Sequence, residues 1–385
     1  MKLVFLSHTA FGGAFVVGSH QLAKALARVG HEVTHVSAPL SLPQLGLLLR
    51  QPVVRRRFHR WWRGGEIIDG VRHVAPMTLL PWHLARHTAS LAGSYSRRIL
   101  TSPRQGLGSL GLDDADAIIL DDPRFVGLAS RLSRSQLIYR ATDLYAQMRR
   151  DPTLDDAERL VCERADALIA TSEPVASHLR QMIGRDVHVI TNGVEFSHFA
   201  GTQPSRAGSP LDMLPGTRGN RALYVGSFDR RLDEQMLAQT AREMPEMQFI
   251  LVGPGGRAAA ASMMLRNVYS PGAVDYGSLP SLMRQCAVGL LPMSRDPSND
   301  GRSPMKLFEY VAAGLPVAAT GTAELRRVEL TTLCLAPEPG TFASAVRQAF
   351  RCASDQSMLD AARTRAQGED WSIKAQTLLR VAATH

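Results

Sequence analysis

Lysine is almost missing from this chain. It occurs only at Lys2, Lys24, Lys306 and Lys374, leaving 40 of the 44 basic residues as arginine. Generic surface charge is therefore written as Arg, and a lysine inside an ordered stretch asks for a reason. Cysteine is sparse as well: Cys162, Cys286, Cys334 and Cys352 are scattered, with no CxxC and no metal-like cluster. That excludes a disulfide scaffold and reads as reduced thiols of a cytoplasmic protein. No apolar run approaches the roughly 18–20 residues of a spanning helix. The opening "MKLVFLSHTAFGGAFVVGSHQLA" is broken by glycines and polar residues and runs on into a helical pattern. It reads as strand, loop and helix, not as a leader.

What is present comes in two halves. With 385 residues, 45% of them hydrophobic, the chain can fill two cores. "KLVFLSH", the glycine loop "TAFGGAFVVG", a helix with apolar Leu22, Ala25, Leu26 and Val29, and the strand "EVTHVSAP" form a βαβ unit. The alternation recurs through "DAIILDD", "QLIYRATD", "ALIATS" and "VHVITNG", then "ALYVGS", "FILVGP", "VGLLPM" and "PVAAT". Between the sets, residues 201–220 are rich in Gly, Pro, Ser and Thr, as a linker is. The expected fold is α/β: an N-terminal domain over 1–200 and a C-terminal one over 221–365, both Rossmann-like with parallel sheets facing a cleft. Residues 366–385 are expected to be a C-terminal helix.

Charge is unevenly placed. Residues 50–104 carry 11 arginines against Glu66 and Asp69, so this stretch alone equals the net charge of +9 of the whole chain. It also holds Trp61, Trp62 and Trp82, three of the four tryptophans. Arginine with Trp and Leu suits an anionic lipid surface, with Arg55, Arg56, Arg57, Arg60, Trp61 and Trp62 as the contact set. Nucleic acid is the rival partner and is disfavoured, since no binding motif for it is present. A solvated, locally folded segment is the plain alternative.

The lysine with a reason is Lys306, in "DGRSPMKLFEYVAAGLPVAAT". Ser303 is a natural N-cap and Pro304 suits the first helical position. Met305, Lys306 and Glu309 then fall at the helix start. Free backbone N–H groups with an ammonium beside them make an anion seat that needs no metal. Glu309, three residues on, can hold a ribose. Gly12-Gly13 and Gly226-Ser227-Phe228 end first strands, where backbone can approach a diphosphate or sugar, or where glycines merely turn the chain. The spacing at Gly12 is not that of dinucleotide enzymes.

"GSHQLAKALARVGHEV", "VHVITNGVEFSHF", "ALYVGSFDRRLD" and "SPMKLFEYVAAGLPVAAT" together resemble the GT-B glycosyltransferases, in order along nearly the whole chain. "QLIYRATD" with a basic first domain is similar to bacterial exopolysaccharide enzymes such as the glucuronosyltransferase of xanthan assembly. The resemblance implies a nucleotide diphosphate sugar donor, a UDP-sugar favoured, and a lipid-linked saccharide acceptor. It also implies that the 366–385 helix crosses back to the N-terminal domain. It places the enzyme peripherally at the inner face of the cytoplasmic membrane, with no cofactor and no metal. Retaining members carry a glutamate eight residues before Glu309; here that position is Gly301. Inversion would then need a base in the first domain. Asp143 is the first candidate, with His20 and Asp122 in reserve; as plainer readings, Asp143 is a helix N-cap and His20 packs under the glycine loop. A nucleotide-sugar epimerase and a non-catalytic glycan-binding scaffold share the fold and remain as alternatives.

Overall fold

A computed structural model describes residues 1–12, 16–85, 110, 112, 114–129, 135–201 and 215–384. Gly13, most of the 201–220 stretch and residues 86–104 of the basic segment lie outside the described residues. The chain packs as two units, Met1–Thr191 with Ser372–His385, and Asn192–Trp371.

The first unit is built on β1 (Lys2–Ser7), β2 (Glu32–Ser37), β4 (Glu66–Ile68), β5 (Val71–Val74), β7 (Ala117–Leu120), β8 (Gln136–Ala141), β9 (Ala167–Ala170) and β10 (His188–Val189). Their order is β10-β9-β8-β7-β1-β2-β5-β4, while β3 (Leu40–Ser41) pairs separately with β6 (Met77–Thr78). All neighbours in the large sheet are parallel except β4 against β5. The strands "AIIL" and "ALIA" are buried along their whole length, as strands covered on both faces must be. Helices α1 (Gly18–Arg28), α2 (Pro52–Arg63), α3 (Tyr145–Arg149), α4 (Thr153–Arg164) and α5 (Glu173–Ile183) belong to this unit.

The second unit has six parallel strands: β11 (Arg221–Val225), β12 (Gln248–Val252), β13 (Val268–Gly272), β14 (Val288–Leu291), β15 (Val317–Thr320) and β16 (Leu333–Ala336). Their order, β13-β12-β11-β14-β15-β16, is that of a doubly wound dinucleotide fold, reversing between β11 and β14. Helix α6 (Met305–Ala312) connects β14 to β15.

The boundary between the units falls after Thr191, not at residue 200. Asn192 donates to Ser303 through its backbone N–H and its Nδ2, at 3.1 and 2.9 Å. Phe196 N–H donates to the Asp370 carboxylate at 2.9 Å. At the other end, helix α7 (Trp371–Ala383) joins the first unit from Ser372 onward, with Lys374 Nζ 2.8 Å from Thr191 Oγ1.

Candidate active site

In doubly wound sheets, ligands sit beyond the carboxyl ends of strands where the order reverses. In the second unit Gly226, Ser227 and Phe228 leave β11 at that place, half-buried. A side chain at Gly226 would meet the Tyr224 hydroxyl at 2.5 Å, and one at Gly253, after β12, would collide with the Gly226 carbonyl. A side chain at Gly256 would come 3.0 Å from the Phe228 ring and 2.7 Å from Ser270 Oγ. Only glycine permits this approach of two loops. Gly253 and Gly255 escaped the sequence reading, although "LVGPGG" ends a strand as plainly as "ALYVGS".

Helix α6 is fastened over the end of β11. Tyr310 is fully buried, and its hydroxyl accepts from Val225 N–H at 2.8 Å. A Cβ on Gly289 of β14 would come within 2.5 Å of the Tyr310 ring. The expected capping arrangement is corrected: Pro304 is the N-cap, and Ser303 Oγ instead accepts from Asn192 N–H. Met305 and Lys306 still lead the helix, so their N–H groups lack partners within it. Lys306 Nζ lies 2.5 Å from Glu309 Oε2, the carboxylate 1% exposed and the ammonium side chain 26%. The two groups assigned to separate parts of a nucleotide are therefore bonded to one another. A buried carboxylate fixes a half-exposed cation at a helix start.

Two more arginines stand nearby and were missed. Arg302 Nη1 is 3.5 Å from Asn299 Oδ1, and Arg231 pairs with Asp229 at 2.6 Å. The Arg231 guanidinium, bonded to Asp229, holds that carboxyl below its ordinary range despite burial, and Arg302 adds to the effect. Asn299 Nδ2 donates to the carbonyls of Arg231 and Ser294, tying the loop after β14 to the loop after β11. Gly301 is buried beside them.

The first unit reverses its strand order between β1 and β7. His8 to Gly12 follow β1, Asp121 and Asp122 follow β7, and Asp143 follows β8. Asp143 is half-buried, and Thr142 Oγ1 donates to its Oδ2 at 3.3 Å. It does not cap α3, whose N-cap is Leu144. Thr142 also meets the Tyr145 hydroxyl at 2.7 Å, and Tyr145 donates to the Asp121 carbonyl. Asp122 is locked: burial would raise it, but the Arg124 guanidinium bonded to it takes it down to about 2. Such a carboxylate is a weak base. The His20 ring is bonded at both nitrogens. Its Nδ1 accepts from Val17 N–H at 3.4 Å and its Nε2 donates to the Thr9 carbonyl at 3.2 Å, so both ring nitrogens hold the loop onto α1. Burial takes it down to about 4. It sits beside buried His35 and His73 and the half-buried Phe11, whose ring stacks on His73 at 4.3 Å.

The basic segment folds as an amphipathic helix with an unexpected division. On α2, Val54, Phe58 and Trp61 pack against Leu40 and Met77. Arg55, Arg56 and Trp62 are on the exposed face, joined there by Arg63. Arg57 and Arg60 turn inward, Arg57 donating to the Ala38 carbonyl at 2.5 Å and Arg60 pairing with Glu66 at 2.8 Å. Arg57, Arg60 and Trp61 are thus part of the packing. Among the described residues one group could hold a cation, Asp155, Glu158 and His178 on α4 and α5. Glu158 already accepts from Tyr139 and lies 3.7 Å from His178 Nε2, and none of these residues is assigned to transfer.

Residues 12–198 match the family model described as Glycosyltransferase Family 4, and residues 219–351 the one described as Glycosyl transferases group 1. With the two largely parallel sheets, these matches show the GT-B glycosyltransferase fold. It is 27% identical over 281 residues to the putative teichuronic acid biosynthesis glycosyltransferase TuaH of Bacillus subtilis, covering 67% of this chain and 69% of that one. Sucrose-phosphate synthase of Thermosynechococcus elongatus shares the fold with a TM-score of 0.73 at 18% identity, covering 100% of this chain and 99% of that one. HepE of Anabaena, solved with UDP and glucose, has a TM-score of 0.68 at 15% identity, with both chains covered entirely.

Proposed function

We propose that this glycosyltransferase moves a hexose or uronic acid from a UDP-sugar to a lipid-linked saccharide during synthesis of a bacterial surface polysaccharide. The Lys306–Glu309 pair at the start of α6 carries the reading, because it fixes a cation beside free helix N–H groups beyond the reversal point of the sheet. There Lys306 stabilises the departing diphosphate, and no metal is needed for that charge. Glu309 exchanges its bond to Lys306 for ribose hydroxyls when the donor enters. Gly226 to Phe228 accept the close approach of the donor. In the first unit Asp143 takes the proton of the acceptor hydroxyl, and the sugar carbon inverts. UDP in the HepE complexes and the teichuronic acid role named for TuaH support the donor and product classes. No helix among the described residues is long and apolar enough to cross a membrane. The exposed face of α2 would hold the enzyme at the inner face of the cytoplasmic membrane.

The test is a screen of UDP-glucose, UDP-galactose and UDP-glucuronate, with membrane extract as acceptor source, reading UDP release. Release that requires both donor and extract is expected, with an inverted anomeric linkage by NMR. An altered sugar formed from donor alone would point to an epimerase. No consumption of any donor would point to a glycan-binding scaffold, and a retained linkage would remove Asp143 from the mechanism.

A further inference from the structure

The inward arginine of α2 is the least expected feature of the first unit. Arg60 has a side chain only 9% exposed, and its partner Glu66 is 54% exposed. Its Nε donates to Glu66 Oε2 at 2.8 Å, and its Nη1 donates to the Phe11 carbonyl of the glycine loop. Its Cζ lies 6.0 Å from the Phe11 ring centre, and a side chain at Gly12 would come 3.5 Å from its Nη2. The same charge helps to keep His20 and His73 neutral. Burying a cation against one half-exposed carboxylate is a poor way to gain stability, and an apolar residue would pack α2 at lower cost. A planar fork that grips two acceptors at once is instead suited to fixing a loop.

We propose that Arg60 is a positioning residue of the transfer site, tying Phe11 and Gly12 to α2 so that seating α2 on a lipid surface sets their position. This rests on the reading of α2 as the docking helix. Arg56 and Arg63, four before and three after Arg60, are exposed, so one rigid helix carries the lipid face and the clamp. A small shift of α2 then reaches the Phe11 carbonyl through one side chain.

Hydrogen exchange at residues 8–12, on the full chain with and without phosphatidylglycerol-containing vesicles, tests this. Wild type should gain protection there on adding vesicles. Arg60→Lys keeps the charge but cannot grip both partners. It should sediment with the vesicles as wild type does, exchange about tenfold faster without them, and show no vesicle-induced change. A loop in Arg60→Lys that exchanges and responds as in wild type overturns the inference. Failure of wild type to bind the vesicles sinks the docking reading and with it the coupling. Arg60's hold on the loop then still stands or falls on the vesicle-free exchange rates.

Discussion

Removing the Lys306 ammonium does two things at once. It takes a charge from the leaving group, and it leaves the buried Glu309 carboxylate without its partner at 2.5 Å. Lys306→Ala should therefore lower kcat/KM by about 100-fold and cost about 1–3 kcal/mol of stability. Adding Glu309→Gln should restore much of the melting temperature but none of the activity, which separates the two effects. A single variant with activity within a few-fold of wild type would end the leaving-group role. Asp143→Asn should abolish transfer while donor affinity, read by calorimetry, stays near that of wild type. Turnover in EDTA should be nearly unchanged; loss restored by Mg²⁺ or Mn²⁺ would contradict a diphosphate seat made of Lys306 and helix N–H groups. At this scale the sequence was partly legible. A lone lysine at a helix start stood out because the chain spells its other charges as arginine. That Ser303 would receive Asn192 instead of capping α6 was not legible, since the partner lies 111 residues away.

Helix and strand packing carries the next level. The residues after β1 are held to α1 by His20, which packs with His35 of β2 and His73 of β5, while His8 follows β1 close by. Burial takes His8 and His20 down to about 4 and His73 to about 3, and it pushes His35 well down too. Unfolded, each titrates near 6.5, so below that pH the unfolded chain binds protons that the folded one refuses. Stability is then fully present above pH about 6.5 and is lost as pH falls toward about 4. Asp121, raised by burial to about 6, opposes this, since the folded state binds its proton first. His178, raised by its bond to Glu158, favours the folded state in acid as well. Four histidines outweigh these two groups. The urea midpoint should drop between pH about 7.5 and about 5, and His73→Phe should flatten the dependence. A midpoint that does not move would refute the assignment. In the second unit, Gly289→Ala forces a methyl against Tyr310 and should cost about 1–3 kcal/mol, read by chemical denaturation. The helical period of α2 could be read from sequence. Which arginines turn inward could not, because Phe11 and Glu66, which receive Arg60, are brought there only by the fold.

Across the whole chain, the alternation of apolar runs with helical patterns was enough to read two parallel α/β sheets. Continuous burial of strands such as "AIIL" is what a doubly covered sheet imposes on its sequence. The unit boundary was less legible, because "TNGVEF" looks like the end of one domain yet is bonded into the other through Ser303 and Asp370. Charge is also a property of the whole chain: residues 50–104 account for its entire net charge of +9. The fold withdraws Arg57 and Arg60 from the surface and leaves Arg50, Arg55, Arg56 and Arg63 exposed. Near an anionic leaflet each is worth about 1 kcal/mol, so four give about 4 kcal/mol before Trp62 inserts. Replacing Arg55, Arg56 and Arg63 by Gln should weaken binding to phosphatidylglycerol-containing vesicles about 100-fold. Arg57→Gln alone should change it little, since that guanidinium is spent on Ala38. Binding of wild type should fall as salt rises, because exposed charges are screened within about 10 Å at 0.1 M. Flotation with neutral and anionic vesicles at low salt decides the matter: equal recovery on both would leave the concentrated charge without a lipid role.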